Sequence, residues 1–386
     1  MPRRTETWGS DIEFYLVCIG TSVGYGCIWR FPYVLFENGG GVFLIPYFIC
    51  LFSFCIPQTY LEFNVGQYWK LPMQEMYKKY SYKWRSTAIC GFVICYCLSI
   101  YYILIMSWCL MYIVAAFYDP LPWQTDTESE TGLMDRTSHY FYRTILDKTD
   151  CTSCIGGFNP KVFGAFTFGW ILVFLCLKNG ISTTGKIALF TVVAPYVLLT
   201  ILLVKVLMLP GSKEGIYYIF YPEMKKLLNS KIWSEAINQA FLQYSIGQGA
   251  MVIFSSFRKT KKKVYKGAFF ICMMNALSSI FASLVVFGYL GFYTELNNMK
   301  FEDLPISGVD LMFVTYPAIF STMEWPNFWL GFFFTTMIFI GIDSQFGMVE
   351  CASFFVEDLQ LQIKRSGDKP PIKIRGSLAK GLVCFS

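Results

Sequence analysis

Two carboxylates, Asp343 and Glu62, stand inside long apolar runs, where an ionised group is costly unless a partner meets it. Ion binding and structural pairing are the uses their setting suggests. A single histidine, His139, lies in a polar loop, which excludes histidine-based catalysis and a multi-histidine metal site. With no nucleophile–base or metal constellation elsewhere, the chain is not expected to be an enzyme. The 14 cysteines lie mostly in apolar segments and read as packing. The exception is Cys151-Thr-Ser-Cys154. A zinc ribbon would need a second such pair, and no other loop holds one, so a disulfide in an oxidising compartment is the expected use. No Asn-x-Ser/Thr sequon occurs, so N-glycosylation is not expected.

Two stretches break their apolar surroundings. Residues 19–32 place Gly20, Gly24 and Gly26 among Thr21, Ser22 and Tyr25, between apolar flanks at 12–19 and 31–36. Residues 243–249, Gln-Tyr-Ser-Ile-Gly-Gln-Gly, do the same inside a later apolar run. A broken helix in hydrocarbon leaves backbone groups unpaired, which is tolerated only where they line a cavity or bind something. Facing half-helix ends suit an anionic group at their N–H ends and a cation at their carbonyls. Glycines can also serve close helix packing alone. Glycine combined with hydroxyls and amides at both breaks favours a binding site, and two such breaks five spans apart match an inverted-repeat transporter.

The elements that must hold these residues are membrane helices. The chain is 55% hydrophobic and 15% charged, well below the roughly one quarter charged residues of soluble domains. At about 20 apolar residues per crossing, spans are expected near 11–35, 41–66, 89–117, 162–180, 184–209, 232–256, 264–293 and 326–357. A ninth begins near 376. Basic residues gather before the first span (Arg3, Arg4) and after the second, sixth and eighth, whereas the 118–161 loop is acidic. This places the amino terminus in the cytoplasm and 118–161 outside, in a multi-pass protein of the plasma membrane. Topology explains the basic loops, so lipid bilayer and no nucleic acid is expected as partner. No cleavable signal peptide is expected from the short polar amino terminus.

These motifs resemble the sodium- and chloride-dependent neurotransmitter and amino-acid symporter family, the neurotransmitter:sodium symporters with the leucine-transporter fold. The resemblance rests on Glu6-Thr-Trp-Gly, Trp29-Arg-Phe-Pro-Tyr33, Glu37-Asn-Gly-Gly-Gly41, Ile45-Pro-Tyr47, Pro57 with Glu62, Gly66-Gln-Tyr68, Tyr101-Tyr102 with Ser107-Trp108, Leu121-Pro-Trp123, Gly341-Ile-Asp-Ser-Gln-Phe-Gly347 and Glu357-Asp358. It implies an all-α polytopic membrane protein, one transmembrane domain over 1–386. The first repeat would cover about 11–209 and an incomplete second one about 232–386, truncated after eight helices and the start of a ninth.

The resemblance also implies roles. A central sodium site would use the carbonyls of Gly20, Val23 and Ile340 with the side chains of Asp343 and Ser344. A second would use Ser22, Cys27, Gln243 and Asn275, but Cys27 replaces an asparagine and Gln243 a hydroxyl, and a thiol is a poor sodium ligand. Chloride would be held by Tyr60, Gln239, Gln243, Asn275 and Ser279, and neutral Ser279 favours chloride dependence. Amine-selective members carry an aspartate at the position of Gly24. Glycine leaves room for a substrate carboxylate on the amides of Tyr25 and Gly26 and the hydroxyl of Tyr102, so a small amino acid or related zwitterion is expected. Ser22, Leu98, Leu242, Ser245 and Gln248 would shape the side-chain pocket. Arg30 resembles an external gate. Trp8 and Asp358 match an internal one, with Arg4 one place off the usual arginine and Phe257 where a tyrosine usually stands. A sodium-coupled symporter working by alternating access around the two breaks is the expected function. A shortened, non-transporting membrane interaction or regulatory protein of the same family is the alternative.

Overall fold

The computed structural model describes residues 7–385 except 72, 126–131, 150, 152, 155, 222–223, 259–263, 300, 302–303, 305–307, 360–361, 364–371 and 374–375, and leaves the side chains of 181, 182, 358, 362, 363, 372 and 373 aside. Among the described residues the chain is a helical bundle with one two-residue antiparallel strand pair, Gln362–Ile363 with Ile372–Lys373. Six helices are long and apolar enough to cross a bilayer: Gly41–Trp69, Tyr82–Ala115, Pro160–Leu177, Thr183–Leu207, Tyr265–Leu296 and Pro326–Glu357. A bent pair, Asp11–Ser22 with Gly26–Glu37, turns by 52° at its break and makes a seventh crossing.

Eight complete spans were the expectation, and the sixth differs. The stretch at 232–256 forms Ser230–Gln243 and Ala250–Ser256, each too short to cross alone. Ser245, Gly247 and Gly249 between them take left-handed backbone angles, with φ of 51°, 77° and 87°, so the helical ladder cannot continue. Glu62 settles part of the cost: its carboxylate accepts the Gly247 N–H at 3.2 Å.

Local signals set the helix starts. Ser10 caps the first helix by accepting the Glu13 N–H at 3.2 Å, and Asn159 caps Pro160–Leu177 with proline in the first turn. Pro326–Asp358 is the inner post of the bundle, with 78% of its spanning window buried, against 22% for Pro160–Leu177 at the rim. A short apolar helix, Leu311–Ser321, was not expected from the sequence. It lies buried beside the post, where Phe313 stacks on Phe141 and Tyr112 donates to its carbonyl. Tyr142, in the 118–161 loop, donates to Asp310 just ahead of that helix, and burial followed by the Asp310 carboxylate pushes its hydroxyl up to about 12. Its pKa is raised, so this tie is fully present below about pH 10 and is lost only as pH rises through about 12.

Among the described residues one ion pair is buried on both sides. Lys380, in the helix Ser377–Phe385, donates to Glu350 and to the Leu177 carbonyl, both at 2.7 Å, while Thr184 donates to the same Glu350 oxygen at 3.1 Å. Cutting one partner strands a buried charge, so Lys380→Ala should lower stability by about 3–5 kcal/mol. The double change Lys380→Met with Glu350→Leu should recover most of it. Thermal midpoints of the purified variants check this, and equal losses in both would contradict the pairing.

Candidate functional site

The first helix stops where Val23 leaves helical geometry, with φ −89° and ψ 94°. A π turn, Gly26–Arg30, restarts it. The backbone N–H groups of Tyr25 and Gly26 are thereby aimed at the Tyr102 hydroxyl on the neighbouring helix. Three hydrogen-bond donors converge there, an arrangement that can receive a carboxylate or similar anion. Gly24 has to be glycine: a Cβ would lie 2.4 Å from Ser344 Oγ and 2.9 Å from the Tyr102 hydroxyl.

A cavity of about 270 Å³ opens on this point. Of the expected pocket residues, Tyr25, Gly26, Leu98, Tyr102, Leu242, Ser245 and Gln248 line it. Ser22 does not, because its hydroxyl turns back onto the Ile19 carbonyl at 3.0 Å. Trp29, Tyr33, Tyr101, Gly308, Val309 and Met348 line it as well. Gly308 and Val309 belong to a connection whose sequence carried no signal of approach. Arg30 is the one charged side chain in this lining.

Beneath lies a second cavity of about 20 Å³, bordered by Gly20, Val23, Ile340 and Asp343. That is room for one water-sized guest. Asp343, 5% exposed, accepts from Thr191 Oγ1 at 2.5 Å. Ser344 Oγ reaches the carbonyls of Gly20 at 3.2 Å and Val23 at 3.5 Å. One carboxylate, a hydroxyl and backbone carbonyls around so small a space suit a hard monovalent cation. Ser344 links the two cavities: its side chain lines the large one, and its hydroxyl donates to the carbonyls of Gly20 and Val23, two residues that border the small one.

Cys27, Gln239, Gln243, Asn275 and Ser279 also come together, all buried. Tyr60 does not join them. It sits on the outer face of its helix, 41% exposed, with its ring edge-on to Tyr265. The hydroxyl beside the cluster is that of Tyr47, fully buried and within reach of Gln243. The two tyrosines stand on different segments of one long apolar span, Leu44–Cys50 and Ile56–Trp69, and such a span gives little periodicity by which to choose.

Of the gate residues, Arg30 borders the large cavity. Trp8 is fixed at the other end by Nε1 donating to the Phe254 carbonyl at 2.9 Å. Arg4 and the side chain of Asp358 lie outside the described residues. The closure visible there is one the sequence reading missed: Arg258, 4% exposed, pairs with Asp11 at 3.4 Å and donates to the Tyr15 hydroxyl at 2.9 Å. Arg258 had been read as part of a basic run, which hid its inward turn. Cys151 and Cys154 are bonded as a disulfide.

Broken membrane helices around a polar centre are a pattern found in secondary transporters. The chain belongs to the sodium:neurotransmitter symporter family, which it matches over residues 5–370. It is similar to the sodium- and chloride-dependent creatine transporter 1 of Bos taurus (32% identical over 372 residues, 89% of this chain and 58% of the relative). It is similar also to the sodium- and chloride-dependent taurine transporter of Rattus norvegicus (32% over 395 residues, 97% and 64%). The sodium-dependent serotonin transporter of Drosophila melanogaster shares 35% over 371 residues, 90% and 58%. These relatives are transporters, not enzymes, and the chain spans about three fifths of their length.

If Asp343 faces a sodium ion, sodium will stabilise the folded chain, by about 2.7 kcal/mol at one hundred times its dissociation constant. Asp343→Asn should remove that gain while leaving the fold intact. Thermal unfolding in sodium against choline measures it, and an undiminished sodium effect in the variant would rule the assignment out.

Proposed function

We propose that the chain is the transport domain of a sodium-coupled symporter for a small zwitterion, with sodium held by Gly20, Val23, Ile340, Asp343 and Ser344. The observation that carries this is the adjacency of the two cavities through Ser344. A substrate acid group on the Tyr25 and Gly26 amides and the Tyr102 hydroxyl lies one side chain away from the cation. Each site is then completed best when the other is filled, and differential affinity of this kind is what couples two ligands. Of the two ions in its relatives' names, sodium is the one whose ligand set is complete here.

The lining also bears on substrate class. Arg30 favours an anionic group, and among the described residues no carboxylate lines the cavity to pair with an ammonium alone. Creatine and taurine, the substrates in the names of two relatives, each carry both an acid and a cationic group, whereas serotonin carries only the amine. A small zwitterion is thus the better fit. Alternating access would open and close the large cavity around the two breaks, with Arg258–Asp11 as part of the closure at one end. The basic stretches put that end, and the amino terminus, in the cytoplasm of a plasma-membrane protein, with 118–161 outside.

Uptake into vesicles under an inward sodium gradient tests this with labelled glycine, taurine, creatine and serotonin. Uptake of a zwitterion should exceed the choline control at least about tenfold, the factor that 1.4 kcal/mol of coupling supplies. Gly24→Asp should reduce it, because the new side chain displaces Ser344 and sets a negative charge at the acid-binding point. Uptake of serotonin alone, or uptake indifferent to sodium, would contradict the reading.

A further inference from the structure

The cluster at Gln243 can be followed to its last hydrogen. Its three carboxamides carry six N–H hydrogens. Gln239 gives its two to the Gly26 carbonyl at 2.8 Å and to Gln243 Oε1 at 3.3 Å. Gln243 gives its two to Asn275 Oδ1 and, at 2.6 Å, to Ser279 Oγ. Asn275 gives its two to the carbonyls of Ser22 at 3.0 Å and Gln243 at 3.4 Å. The Ser279 hydroxyl donates to the Asn275 carbonyl at 3.2 Å. Tyr244 donates to the Cys272 carbonyl at 2.9 Å, so the Tyr47 hydroxyl, 3.3 Å from it, gives its hydrogen to Tyr244.

An anion buried in protein is held by donors that point at it. In this cluster each donor is spent on another protein group. On the cation side Gln239 Oε1 is left without a partner, but the oxygen ligand at position 27 is missing. Cys27 offers sulfur, and its thiol instead donates toward Asn275 Oδ1 at 3.4 Å. That oxygen thus already accepts from both Cys27 and Gln243. The residues present therefore do not fit the chloride and second sodium that the family resemblance implies.

We propose that a neutral hydrogen-bonded plug built on Gln243 replaces this ion pair, so that the chain couples to one sodium and is indifferent to chloride. The inference rests on the symporter reading for its word "couples", but the plug itself stands on the bonds above. The carboxamide is long enough to bridge Gln239 on one side and Asn275 and Ser279 on the other, which a hydroxyl could not do. The exchange is also balanced electrically. A cation and an anion are lost together, so neither is left buried without its counter-charge. A lone Gln243 change in a chain that kept the cation would lack that balance, and here Cys27 removes the cation's oxygen as well.

The test is thermal unfolding of the purified chain with two independent exchanges, sodium for choline and chloride for gluconate, on native protein and Gln243→Ser. The native chain should be stabilised by sodium with a single-site dependence and should not respond to chloride. Gln243→Ser, which frees one Gln239 donor and the space the carboxamide filled, should gain a saturable stabilisation by chloride. Saturable chloride stabilisation of the native chain would overturn the plug, a result that needs no variant to fold. Absence of any sodium effect would overturn the symporter reading instead, because the two exchanges are read separately. Gln243→Ala serves if the serine variant fails to fold, and chloride responsiveness in it again supports the plug.

Discussion

A helix opened inside a bilayer must satisfy its own loose ends, because hydrocarbon offers no hydrogen bonds. The break at 23–25 is the constraint on which the rest of this structure depends. The carbonyls of Val23 and, a turn earlier, Gly20 accept from Ser344, and the N–H groups of Tyr25 and Gly26 turn toward Tyr102. The post Pro326–Asp358 and the helix carrying Tyr102 are therefore part of the solution, and Gly24 exists to let Ser344 come close. The second break is settled in the same way by a different group, the Glu62 carboxylate on the Gly247 N–H.

The two breaks meet at the buried amide cluster. Gln239 and Gln243 come from the last turns of Ser230–Gln243, and they bond to Gly26 and to Asn275. Polar groups so deep in the bundle must be fully paired or they cost more than they return. Every carboxamide donor here is paired, with Gln239 Oε1 the acceptor left over, and this pairing makes the region a joint between the broken helices. The spent donors close it to an anion. The central cavity differs because its carboxylate and carbonyls outnumber the hydrogens offered to them, which leaves oxygen facing the small space beside Asp343.

Much of this was legible in the sequence, and the reasons divide by physics. Spans showed as long apolar runs, and the breaks as glycine among hydroxyls. Asp343 showed as a carboxylate that hydrocarbon would not tolerate alone. Membership in the family followed from motifs spread along the chain, and the match over residues 5–370 agrees with it. What could not be read depends on rotation and reach. Tyr60 was placed beside the amide cluster by the resemblance, yet it faces outward and Tyr47 is the tyrosine buried there, a matter of helix face in a segment apolar on nearly every side. Ser22 was placed in the pocket by position alone, yet its hydroxyl folds back onto its own helix. The approach of Gly308 and Val309, and the inward turn of Arg258 out of a basic run, are tertiary contacts without a local pattern.

Direct binding of radioactive sodium to the purified chain tests the central claim most closely. One saturable site is predicted, lost in Asp343→Asn and unchanged when gluconate replaces chloride. Two sites, binding that needs chloride, or binding that survives the loss of the Asp343 carboxylate would contradict it.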